Sequence, residues 1–132
     1  MTIVVGYVPK PEGRAALLAA VEEAKLRNEP LHVVNTSRGD AYVDSSYASE
    51  DEFSEVRRQL EESGVEFEID HRISGNEGAE DVVSAARHVS ASLVVIGLRR
   101  RTPTGKLLFG SDAQRILLDA PGRVLTVKAA ES

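Results

Sequence analysis

Leu93-Val94-Val95-Ile96-Gly97 is the most hydrophobic run in the chain, and its glycine opens the basic stretch Leu98-Arg99-Arg100-Arg101-Thr102-Pro103-Thr104-Gly105-Lys106-Leu107-Leu108-Phe109-Gly110-Ser111. Four consecutive apolar residues without alternation describe a strand covered on both faces. Such a strand belongs in a parallel sheet sandwiched between helices, and this run is expected at its centre. Ile3-Val4-Val5-Gly6-Tyr7-Val8 reads the same way, as a first buried strand. Leu31-His32-Val33-Val34-Asn35, admitted by Pro30, is a second.

Helical spacing fills the intervals. Residues 12–28 form a first helix, with Ala15, Leu18, Val21 or Glu22, and Leu26 expected on its inner side. Residues 49–63 form a second through Phe53, Val56 and Leu60, closed by Gly64. A third spans 77–89 and buries Ala79, Val82, Val83 and Ala86. A fourth runs from Ser111 to Leu118 and is broken at Ala120-Pro121-Gly122. Val65-Glu66-Phe67-Glu68-Ile69 alternates strictly, so one face of that strand is wetter, which suits a sheet edge. Val124-Leu125-Thr126-Val127 is the last strand. Strands alternating with helices force parallel pairing through right-handed crossovers. The fold class is therefore α/β, a doubly wound five-stranded parallel sheet.

Composition sets the boundaries. A chain of 132 residues suits one domain, residues 1–132. No apolar run approaches the ~20 residues of a membrane span, and MTIVVGYVPK lacks the layout of a secretory signal, so a cytoplasmic protein without membrane attachment is expected. There is no cysteine for disulfides, thiolate metal sites or thiol nucleophiles, and His32, His71 and His88 have no zinc-ligand spacing. A net charge of −5 opposes general nucleic-acid affinity, so any anion site must be local. Eight carboxylates between Asp40 and Glu62 face only Arg57 and Arg58, and they read as a solvated loop and helix face.

In doubly wound sheets, ligands bind beyond the carboxyl ends of the strands where strand order reverses. Here the first and fourth strands meet that description, ending at Val8-Pro9 and at Gly97. The loop from Gly97 leads to a helix start, where Gly110 permits close backbone approach and Ser111 caps or donates its hydroxyl. Free amides with the helix dipole behind them attract anions, and Arg99, Arg100, Arg101 and Lys106 add donors. The competing reading of the same residues is a capped helix behind a solvated basic turn. Thr104-Gly105-Lys106-Leu107 is not a Walker A loop, because Arg100 takes its first glycine's place and Leu107 that of its Ser/Thr. Gly6-Tyr7-Val8-Pro9 is not a dinucleotide fingerprint. No nucleophile–base pair is in view, so turnover is not expected. Asp112 is the nearby carboxylate, suited to the first turn of the fourth helix.

From its first strand to its last, the chain resembles a universal stress protein family domain. The family's nucleotide signature is a glycine, two residues, a glycine, nine residues, then glycine and Ser/Thr; Gly97, Gly110 and Ser111 fall on that spacing, with Arg100 at the second glycine. The resemblance implies a flavodoxin-like, adenine nucleotide alpha hydrolase-like fold with strand order 3-2-1-4-5, and binding of ATP or a related adenine nucleotide, with Mg2+, in some members. It implies an aspartate near the adenine where this chain has Val8, and a backbone adenine contact at Val33. It also implies a homodimer through the last strand, Val124, Leu125, Thr126 and Val127; alternatively Arg123 and Lys128 guard a monomeric edge. Two functions follow. One is a nucleotide-binding sensor; the other is a nucleotide-free interaction module whose pocket Val8 and Arg100 have closed.

Overall fold

The computed structural model describes residues 1–37, 50–73, 78–98 and 111–129. Along them run strand β1 (Thr2–Tyr7), helix α1 (Pro11–Arg27), β2 (Leu31–Ser37), α2 (Glu50–Ser63), β3 (Phe67–Ile73), α3 (Gly78–His88), β4 (Ala91–Leu98), α4 (Ser111–Asp119) and β5 (Arg123–Lys128). The strands form one sheet in the order β3-β2-β1-β4-β5, with every neighbouring pair parallel. The expected α/β sheet is therefore present, with one adjustment. β1 lies at its centre, and the more hydrophobic β4 is one place away, between β1 and β5. Apolarity reports coverage on two faces, which all interior strands share.

The pleat divides the core in two. Ile3, Val5, Tyr7, Leu31, Val33, Leu93 and Val95 face α1 and α2. Val4, Val34, Val94 and Ile96 face α3 and α4. Phe53, Val56 and Leu60 anchor α2, and burying each such side chain contributes about 1.5–3 kcal/mol. Gly64 closes this helix at φ +77°, a left-handed conformation that glycine adopts without steric cost.

The inner face of α1 differs from expectation. Gly13, Ala16, Leu17, Ala20 and Ala24 are buried, whereas Leu18 is 62% and Leu26 80% exposed. The helix carries apolar residues all round, so spacing alone does not choose its inner side. Backbone proximity decides it: the face of small residues lets α1 lie close against the sheet. Pro11 opens the helix where its missing N–H costs nothing, and Asn28 ends it in the left-handed region, its N–H bonded to the Ala24 carbonyl.

The third strand begins two residues later than its alternation suggests, at Phe67. Its edge position and its two-sided character are as read, with Phe67 and Ile69 against the core and Glu66 and Glu68 exposed. β5 forms the other edge, its residues Val124, Leu125, Thr126 and Val127 half-buried.

Candidate functional site

Because all five strands run one way, their carboxyl ends share one rim, and strand order reverses there between β1 and β4. β1 ends at Tyr7, and Val8-Pro9 carry the chain off the sheet. The Lys10 N–H donates to the Val8 carbonyl at 2.8 Å, a tight reversal that delivers Pro11 to the start of α1. Lys10 precedes the helix in an extended conformation and gives it no side-chain cap.

Two glycines let that first helical turn settle onto the strand ends. A Cβ on Gly13 would stand 1.8 Å from the Val8 carbonyl oxygen. One on Gly97, near the end of β4, would stand 2.0 Å from the Glu12 carbonyl oxygen and 2.6 Å from its carbon. Each neighbour is backbone, so neither position has room for a side chain. The structure thus brings Val8, Pro9 and Gly97 together around the amino end of α1, and it gives Gly97 a packing reason for being glycine. Gly13 was not singled out in the sequence; a glycine in the first turn of an otherwise alanine- and leucine-rich helix was the available signal.

Arg99, Arg100, Gly105, Lys106 and Gly110 lie outside the described residues. Ser111 and Asp112 open α4, which returns from the rim toward the start of β5, so its amino end and the positive pole of its dipole belong to the carboxyl rim. Arg115 ties α4 to α3, with Nη2 3.1 Å from Glu80 Oε1 and Nε 3.2 Å from Asp119 Oδ2, and Arg87 donates to the Asp119 carbonyl at 3.1 Å. The hydrogen bond to Asp119, then the charge of Glu80, hold the Arg115 guanidinium above its usual pKa.

Val33 is placed differently. It is fully buried, third in β2, and pairs in register with Val5 and Ile69 on its two sides. Two residues further on, Asn35 pairs with Tyr7, the last residue of β1, and with His71 of β3. Asn35 is 0% exposed, and neither its Nδ2 nor its Oδ1 has a hydrogen-bond partner among the described residues. Phe53 of α2 meets Tyr7 edge-on at 5.7 Å between ring centroids and His71 at 4.4 Å. An asparagine closing an apolar strand was the signal for this feature, and sequence reasoning passed over it. On the opposite face of β2, His32 Nε2 lies 3.1 Å from Asp70 Oδ2. Among the described residues, no cluster of three His, Asp or Glu side chains forms a metal site, and no helix is long and apolar enough to cross a membrane.

Residues 1–128 match the sequence profile of the universal stress protein family. The chain belongs to that family. It is 48% identical over 126 residues to a universal stress protein of Mycolicibacterium smegmatis, covering 96% of each. Among solved structures, it is similar to a universal stress protein from Archaeoglobus fulgidus, with TM-score 0.73, 33% identity, and 97% and 98% of the two chains covered. It is also similar to an A. fulgidus universal stress protein in complex with dAMP, with TM-score 0.66, 28% identity and the same coverage. The family match includes both Val8-Pro9 after β1 and Ser111 at the start of α4.

Proposed function

We propose that this universal stress protein binds an adenine nucleotide at the carboxyl rim and acts as a sensor, the bound nucleotide setting the surface that residues 98–109 present to a partner. The observation that carries the reading is the convergence at one rim of the reversal point between β1 and β4 and the amino end of α4, on the spacing Gly97, Gly110, Ser111. A similar family structure in complex with dAMP supports the same class of ligand.

In this reading the phosphates lie toward Gly110, Ser111 and Asp112, with Arg99, Arg100 and Lys106 as their cations and Gly105 among the nucleotide-binding residues. Val8 and Pro9 border the nucleoside, and Val33 backs it from within the sheet. ATP is one candidate. Mg2+ would arrive on its phosphates, since the described residues supply no carboxylate cluster for it. The protein works in the cytoplasm as a homodimer, with Val124, Leu125, Thr126 and Val127 of β5 pairing with a second copy across the half-buried edge.

Calorimetric titration with ATP and Mg2+, then with AMP, tests the reading. A nucleotide at a hundredfold excess over its dissociation constant raises stability by about 2.7 kcal/mol, a readily measured thermal shift. Gly110→Val abolishes that shift while preserving the fold. A specific substitution favours the second reading, the nucleotide-free interaction module: apolar Val8 stands where the family resemblance implies an aspartate. Absence of both heat and thermal shift at millimolar nucleotide favours the module instead.

A further inference from the structure

We propose that Asn35 reads the base: its carboxamide hydrogen-bonds the edge of a 6-aminopurine that lies against the Tyr7–Phe53–His71 aromatic cluster. The inference rests on the adenine-nucleotide reading above and assigns the group that recognises that nucleotide's base.

Tyr7, Asn35 and His71 are register partners across three adjacent strands, so their side chains share one face of the sheet. Phe53 touches both outer members, and its ring therefore stands over Asn35. Beneath it the carboxamide is fully buried, with donor and acceptor both unpaired among the described residues. A carboxamide presents these two groups side by side, which matches the adjacent 6-amino donor and ring-nitrogen acceptor of adenine. Aromatic rings supply affinity for any base through stacking; the carboxamide supplies choice.

Position agrees with chemistry. Asn35 stands level with Tyr7, where β1 leaves the sheet, and two residues before β2 itself ends at Ser37, so it lies just inside the carboxyl rim on the β2 side. Two strand spacings, roughly 10 Å, separate β2 from β4, whose loop leads to α4, and an extended nucleotide bridges that gap. His71 is exposed, whereas Tyr7 and Phe53 are buried, so the cluster opens at its His71 side. A base entering there reaches the carboxamide as the Phe53 ring turns aside, a side-chain adjustment common on binding.

The test compares AMP with purine riboside 5′-monophosphate, the same nucleotide without its 6-amino group, by calorimetry on the wild type and on Asn35→Leu. The wild type is expected to bind AMP about tenfold or more tightly than the analogue, since a site built to pair with a ligand N–H rejects the molecule lacking it. In Asn35→Leu the two nucleotides bind within about twofold of each other, AMP having lost the affinity. The nucleotide-free variant melts at or above the wild-type temperature, because an unpaired buried carboxamide has been removed. Equal binding of the two nucleotides by the wild type, or an undiminished preference in Asn35→Leu, overturns the assignment while leaving the adenine-nucleotide reading intact. A variant that melts below the wild type also overturns it, since the carboxamide then has a partner inside the protein. A wild type that binds neither nucleotide sinks the underlying reading as well.

Discussion

The two halves of the carboxyl rim are built in opposite ways. Between β1 and β4, backbone lies directly on backbone: Gly13 on the Val8 carbonyl, Gly97 on that of Glu12, with no space for one methyl group. On β2, next to the end of β1, an asparagine sits fully enclosed with both ends of its amide unpaired among the described residues. The first half is closed packing that fixes where the strand ends and α1 meet. The second tolerates a feature that costs about 1–3 kcal/mol for a buried polar group left without a partner. Stability alone rewards the first arrangement and penalises the second, so the second is the half to examine for ligand recognition.

The largest effects should come from filling the closed half. Gly97→Ala and Gly13→Ala each force a Cβ against main chain that cannot turn aside, and each should cost about 3 kcal/mol or more in denaturant unfolding. For Gly13→Ala this loss outweighs the gain of about 1 kcal/mol that alanine brings to a helix. If both variants unfold like the wild type, α1 is not clamped to the rim and the contrast fails.

Next in size is the opposite change in the β1–β2 half. Asn35→Leu should stabilise the nucleotide-free protein by about 1–3 kcal/mol, the same unfolding titration serving as the check. The smallest effect is expected at Gly6 in β1. There an added Cβ meets Val82 Cγ2 at 3.2 Å, a methyl group that can yield a few tenths of an ångström. Gly6→Ala should therefore change stability by about 1 kcal/mol or less, which separates a glycine facing a side chain from one facing a carbonyl.

Much of this fold was legible because its periodicities are unambiguous. Phe53, Val56 and Leu60 point inward as their spacing requires, and so do Ala79, Val82, Val83 and Ala86 of α3. The inner face of α1 was not legible. Its leucines promise larger burial than its alanines, but closeness to the strands selects the small residues, and that distance is a tertiary quantity. The same holds at the site. Gly97 was marked by the loop that follows it, whereas its contact with Glu12 spans 85 positions of sequence and appears only when the chain is folded. Asn35 was no more than the last residue of the strand Leu31–Asn35, because nothing local announces that its amide will be fully buried.

Whether the β1–β2 half of the rim receives a base is decided by NMR of the isotopically labelled protein during titration with AMP. The side-chain NH2 resonances of Asn35 are expected to move with the added nucleotide, together with the amides of Val8 and Ser111. Shifts at Ser111 with the Asn35 side chain unmoved would contradict it, placing the phosphate at α4 and the base somewhere other than β2.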